Sequence, residues 1–388
     1  LSDREILKFY EIVPSDHQEN HNGSSNDYEV TYNSNEHNQY EYPKLFNSKT
    51  LLELCYSSSP SLMSKGDVQP YLRGCKWSPD GTCCLSVVNN DGVHVTELPR
   101  DLYSGSVDSK RKIDVLDPVI HVKESGLIYD FCWYPGMNST IPESCCWITT
   151  RQNAPIQMWD AFDGSLRCSY RGFNAVDEME PAISVTFNNE GNRIIGGYKK
   201  VLRTFDVESI FPRCLREPSS LVTLKRGGVT HAKFTPDGLK LVSGSRKDHR
   251  LLIWDIRYYR TPLNILSRAV DTNQRVYFDI SPCGKYLVSG GTDGLVKVWD
   301  SNKVNWHSRL DFPLHKDCCN SVSIHPCRPI LATGSGQYHF KDPLAITSDE
   351  KIDEIEKNQD TKEFISDMKY SDEAENSLVF WWTGDIDV

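Results

Sequence analysis

Residues 275–300 read R-V-Y-F-D-I-S-P-C-G-K-Y-L-V-S-G-G-T-D-G-L-V-K-V-W-D, and this stretch decides the fold. Val276, Phe278 and Ile280 alternate with Tyr277 and Asp279, the period-two signature of a half-buried strand. Pro282 and Gly284 then mark a tight turn, Pro presetting φ and Gly tolerating positive φ. Leu287–Ser289 makes a second strand, Asp293-Gly294 a hairpin turn, and Leu295–Trp299 a third strand closing on Trp-Asp. A sheet this small cannot bury both its faces alone, so it calls for copies stacked beside it.

The copies are present. Residues 229–255 give V-T-H-A-K-F-T-P-D-G, L-V-S-G-S-R-K-D and L-L-I-W-D, and Trp254 and Trp299 stand 45 residues apart. Trp159-Asp160 and Phe205-Asp206 end two more units, at spacings of 46 and 49. A repeat of about 40–45 residues that ends in Trp-Asp is the WD40 pattern, one four-stranded blade per repeat of an all-β propeller. Earlier, residues 72–97 form a unit with Thr96 in place of the closing aromatic, and the last unit begins at Asn320 and resumes at Leu378–Trp381. The expectation is six blades, with Trp159, Trp254 and Trp299 buried at equivalent places, Phe205 and Trp381 as further structural blade residues, and Asp160, Asp206, Asp255 and Asp300 as structural turn residues.

The propeller is expected over residues 66–388. Residues 1–65 are mostly poor core material and are expected to be disordered, except that 44–54 is apolar enough to be a closing strand. Residues 341–376 interrupt the last blade, and from Asp349 to Glu375 they hold 11 acidic side chains against 4 lysines. A solvated acidic loop is expected there. The net charge of −10 therefore belongs to these appendages and leaves a mildly basic propeller body. The 13 cysteines show no CxxC and read as reduced thiols. No apolar run is long enough to span a membrane, and no signal peptide opens the sequence, which begins at Leu1.

The chemistry-bearing motifs argue against an enzyme: P-loop, G-x-S-x-G and H-E-x-x-H are missing. His315, Cys318, Cys319, His325 and Cys327 straddle a strand and stand too far apart to share one zinc, so neither metal nor cofactor is expected. The basic residues are more telling. Turns between second and third strands of successive blades face one end of the channel, and here they carry Arg151, Lys199-Lys200 with Tyr198, and Arg246-Lys247. Arg275 and Lys316, before inner strands, should open on the same face, with Tyr129 and Tyr198 as stacking partners. Such an arc suits phosphates and unpaired bases. Exposed turns are also often charged for solubility alone, and a propeller that binds only proteins remains the alternative.

Several strings go beyond what a propeller needs: R-Q-N-A-P-I-Q-M-W-D-A-F-D-G-S-L-R (151–167), S-R-K-D-H-R-L-L-I-W-D-I-R (245–257), D-T-N-Q-R-V-Y-F-D (271–279) and H-K-D-C-C-N-S-V-S-I-H-P (315–326). With L-R-G-C-K-W-S-P-D-G (72–81) and I-Y-D-F-C-W-Y (128–134), they resemble the telomerase Cajal body protein 1 family. The resemblance implies an RNA-binding WD40 scaffold of the nucleus and its Cajal bodies. Its RNA partners would be H/ACA-type small Cajal body RNAs and telomerase RNA, and its protein partners those of H/ACA ribonucleoproteins and telomerase. Neither a membrane nor a small-molecule substrate is implied. It also implies seven blades where this sequence shows six. The 23 residues from Asp206 to Val229 have room for one outer strand, not for a hidden blade.

Overall fold

The computed structural model describes residues 45–46, 50–58, 71–124, 126–174, 176–199, 201–207, 215–216, 220–223, 228–258, 260–301, 306, 308–339 and 375–385. Among them, six antiparallel sheets follow one another along the chain as propeller blades. Blade one is Leu72–Trp77, Cys83–Val88, Gly92–Glu97 and Ile120–Val122. Blade two comprises Ile128–Trp133, Cys146–Arg151, Ile156–Asp160 and Leu166–Tyr170, and blade three Ser184–Phe187, Arg193–Gly197, Val201–Asp206 and Ser220–Thr223. Blade four is Val229–Phe234, Lys240–Ser245, Arg250–Asp255 and Asn264–Ser267. Blade five is Phe278–Ile280, Tyr286–Ser289, Leu295–Asp300 and Ser308–Pro313. Ser220–Thr223 is the single outer strand that the short link after Asp206 had room for.

Blade six joins both ends of the sequence. Cys319–Ile324, Ile330–Ser335 and Ser377–Trp382 are completed by Leu52–Ser58, antiparallel to Ser377–Trp382. The closing strand thus begins at Leu52, later than the 44–54 segment expected for it. Leu45 and Phe46 do something else: they are buried against blades five and six, with the Phe46 ring 5.6 Å from Tyr286 and 5.9 Å from Phe312. These two residues pack into the core rather than pairing along the sheet.

Equivalence of the closing residues is visible in the register. Phe205, Trp254, Trp299 and Trp381 pair with Ile194, Leu241, Leu287 and Leu331, each the second residue of its neighbouring strand. Trp159, Trp254 and Trp381 donate their indole N–H to Thr149, Ser243 and Thr333 hydroxyls at 2.9, 2.9 and 2.7 Å. In blade six the chain of bonds continues: His315 Nε2 lies 2.7 Å from the Thr333 hydroxyl and Nδ1 2.5 Å from Glu375. Glu375 also accepts from Lys316 N and Ser377 Oγ, and Asn376 accepts from Leu72 N at 2.6 Å. Both residues fall inside the 341–376 stretch read as a disordered insert. They are blade residues, and the remainder of that insert, like most of 1–65, lies outside the described residues.

Neighbouring blades are tied by apolar clusters and by side chains that cap unpaired groups of the next inner strand, which is otherwise an open sheet edge. Asp130 of blade two accepts from Val185 N of blade three at 3.1 Å. Asp279 of blade five accepts from Ile324 N of blade six at 2.8 Å, and Ser323 from Trp77 N of blade one at 3.1 Å. Between blades three and four no described hydrogen bond, ion pair or apolar cluster runs across. Thr186, placed in blade three as Asp279 and Ser323 are in theirs, donates instead to Phe187 O of its own strand at 3.0 Å. The consequence shows in blade four, where Val229 is 55% and Ile265 51% exposed and Trp254 stays half-buried. Trp299 at the same register is 2% exposed, because Val242, Leu251 and Ile253 of blade four cover it. The expected equal burial of these tryptophans is corrected accordingly: Trp299 and Trp381 are buried, while Trp159 and Trp254 are half-buried.

Candidate nucleic-acid interface

Turns between second and third strands hydrogen-bond to the segments that lead into inner strands, which fixes them on one face. Asn89 N donates to Tyr71 O, Gln152 N to Leu127 O, Lys247 N to Thr272 O and Thr292 N to Ala269 O. The turns bearing Arg151, Lys199 and Arg246-Lys247 and the approaches bearing Arg275 and Lys316 therefore share one end of the channel.

On that face the side chains differ sharply in availability. Arg246, Lys247, Lys199 and Lys316 are exposed, and none has a described ion pair. Arg250 takes Asp248 in a two-toothed pair at 2.8 and 3.0 Å, which leaves Arg246 and Lys247 unopposed. Lys247 holds a left-handed backbone, φ 48°, where the matching turns of blades one and two place Asn90 and Asn153 at 58° and 57°. Asparagine tolerates that conformation and lysine gains nothing from it locally. Lys200 lies outside the described residues.

Other expected contacts are already engaged. Arg151 Nε lies 3.4 Å from the buried Glu124 and 3.2 Å from Gln157. Tyr198 is buried beneath Arg203, whose guanidinium sits 4.1 Å from the ring centre, and burial pushes its phenol up to about 12. It cannot stack on a base, because Gly196 of its own blade and Gly172 of the two-stranded sheet at residues 172–173 and 179–180 let the backbone close over it: Cβ atoms there would meet its ring at 2.9 and 2.7 Å. Arg275 points down the channel to Asp130 at 2.7 Å and to the Tyr277 hydroxyl at 3.1 Å.

Around Arg275 the mouth of the channel forms a pocket lined by Arg73, Val87, Ile128, Tyr129, Phe131, Gln274 and Tyr277. Tyr129 is half-buried there, as a stacking partner requires. Arg73, Gln274 and Tyr277 were missed in the sequence; the signal that could have found them is their place at the start of inner strands. Below the mouth, Lys76 lies 4.6 Å over the Phe131 ring and 3.9 Å from Asp130, and Lys233 pairs with Asp279. His231 is held well below its usual range by burial and by the Arg275, Lys76 and Lys233 charges, so it stays neutral in a cationic channel. His315 and His325, suspected of metal chemistry by residue type alone, are engaged separately: His325 Nε2 donates to Gly81 O at 2.9 Å.

The family model for the WD domain, G-beta repeat matches residues 219–255 and 271–300. The telomerase Cajal body protein 1 homolog of Drosophila melanogaster is 40% identical over 383 residues, covering 85% of this chain and 68% of the relative. The chain belongs to the telomerase Cajal body protein 1 family. Its Bos taurus relative is 34% identical over 361 residues, 81% of this chain and 65% of the relative. The Homo sapiens relative is 35% identical over 329 residues, 72% of this chain and 60% of the relative. The chain thus spans about two thirds of the length of these family members. The fly comparison extends over 383 positions, yet 85% of this 388-residue chain is only about 330 residues, so about 50 positions of the relative face none here.

Proposed function

We propose that this chain is a non-enzymatic RNA-binding scaffold that recognises H/ACA-type small Cajal body RNAs and telomerase RNA. In the nucleus it would carry them to Cajal bodies and support telomerase assembly and telomere maintenance. The observation that carries the reading is the unopposed Arg246-Lys247 turn, with Lys247 in left-handed backbone, on the same face as Lys199, Lys316 and the channel-mouth pocket. The exposed cations meet phosphates. Tyr129 offers a stacking surface; Arg73 Nη1 donates to Ile128 O at 2.6 Å and Gln274 Nε2 to Gly336 O at 3.1 Å, and their second N–H groups are the donors offered to a base edge, the interactions that single-stranded loops make with proteins. Family membership supports the same reading, since the relatives are named for telomerase and the Cajal body.

A second reading, assembly through proteins alone, is favoured by the apolar edge of blade four, where Val229 and Ile265 are exposed. Salt separates the two. RNA affinity should fall steeply between about 50 and 200 mM salt, and the Arg246→Ala/Lys247→Asn variant should show a slope shallower by roughly 0.7 for each single-strand phosphate it no longer neutralises. The RNA reading fails if that variant binds a loop-containing H/ACA RNA with wild-type affinity and slope, and the tyrosine and glutamine variants Tyr129→Ala and Gln274→Ala do too.

A further inference from the structure

At the tip of blade one, Asp91, His94 and His121 converge. His94 and His121 are direct register partners on the third and fourth strands, so their imidazoles stand side by side, ring centres 4.3 Å apart. Gly92 brings the carboxylate to them. Its φ is 114°, and a Cβ there would lie 2.1 Å from Val122 O, so the turn can fold onto the fourth strand only without a side chain at this position. Asp91 Oδ2 is then 2.8 Å from His94 Nε2, and Oδ1 is 3.3 Å from His121 Nε2. One ligand atom from each residue lies within 4.8 Å of the others.

We propose that Asp91, His94 and His121 bind one divalent transition metal of the zinc type, leaving a fourth position open to solvent. Two imidazole nitrogens and one carboxylate oxygen suit zinc, nickel or copper, not the hard cations that want oxygen alone. Zinc bonds to such ligands at about 2.0–2.2 Å, which sets tetrahedral ligand–ligand edges of about 3.3–3.5 Å. His121 Nε2 already stands at that length from Asp91 Oδ1, while His94 Nε2 approaches the other oxygen, Oδ2, at 2.8 Å, so a zinc held through one carboxylate oxygen needs the carboxylate to turn and the His94 edge to open. The His94 and His121 side chains are 13% and 30% exposed, so the sheet supports the first while the second is open to an arriving ion. The site sits in the same class of turn as Arg151 and Arg246-Lys247, so a bound cation would add positive charge to the proposed RNA face. The metal site itself does not depend on that reading.

The test uses the full chain and Zn²⁺ alone, followed by calorimetry, with Co²⁺ absorption reporting coordination geometry. One Zn²⁺ per chain should bind at micromolar concentration and raise Tm. Asp91→Ala, His94→Ala and His121→Ala should each weaken binding roughly tenfold or more. His121→Ala, at the most exposed ligand, should keep the metal-free Tm of the wild type, which separates loss of a ligand from loss of the fold. The cysteine variant Cys283→Ser/Cys327→Ser, which removes exposed thiols elsewhere, should bind as the wild type does. The proposal is overturned by zinc binding that survives His121→Ala, by binding that vanishes in the cysteine variant, or by the absence of saturable binding below millimolar Zn²⁺.

Discussion

Arg275, on the approach to the inner strand of blade five, spans the channel to Asp130 of blade two, Nη1 to Oδ1 at 2.7 Å. The two blades are opposite one another in a ring of six, so this single pair ties facing walls. Asp130 also accepts from Phe131 N at 3.0 Å and from Val185 N at 3.1 Å, which couples the tie to the junction with blade three.

Removing one member should therefore hurt more than removing both. Asp130→Ala leaves a mostly buried guanidinium and an uncapped strand edge, and about 3–5 kcal/mol of stability should be lost. Asp130→Ala/Arg275→Met should recover part of that loss. Urea unfolding checks it: a single-variant cost below about 1 kcal/mol would place the pair with ordinary surface ion pairs.

Equivalent tryptophans should not be equivalent energetically. Trp299→Ala opens a cavity in the packed cluster between blades four and five and should cost about 3–5 kcal/mol. Trp254→Ala, at the same register on the unsealed edge, should cost less than half as much, since it gives up less buried area. Equal losses in denaturant titrations would mean that the edge of blade four is covered in solution.

Stability should fall in acid in two stages. His325 Nδ1 accepts the N–H groups of Cys327 and Arg328 at 3.2 and 3.0 Å while Nε2 donates to Gly81, an arrangement that only the neutral ring can make. Burial depresses its pKa from 6.5 to about 4, so the unfolded chain takes up the proton first; the stabilisation is complete above pH 6.5 and is lost as pH drops toward 4. Burial works against the charge of Glu375, but hydrogen bonding from His315 and its charge outweigh it and hold the carboxyl at about 2, so its contribution is lost between 4.5 and 2. Each stage is worth at most about 3 kcal/mol, less for the partly exposed Glu375. Tm measured against pH in His325→Gln should decline less between pH 6.5 and 4 than in the wild type.

Amide exchange should be fastest, among the described inner strands, on Val229–Phe234, at the junction across which no described contact runs. The inner strand of blade six, fully buried and capped from blade five, should exchange slowest. Uniform exchange across all six inner strands would contradict this picture.

The amino-acid sequence alone determined the architecture: spacing of the closing residues, turn chemistry and strand alternation are local, and blades one to five can each be read from a consecutive stretch of sequence. It also located the exposed turn of Arg246 and Lys247. What only the tertiary structure decided are relations between blades. Arg275 is as basic as Arg246, yet a carboxylate 145 residues away in sequence engages it. Tyr198 looks like a surface aromatic until Gly196 and Gly172 let neighbouring backbone close over it, and Glu375 looks like part of an acidic loop until it meets His315. Asp91, His94 and His121 become neighbours only through strand pairing. The physical reason is common to all of them: a local pattern sets which way a side chain points from its strand, while the charge, ring or ligand it meets is brought by ring closure from elsewhere in the chain.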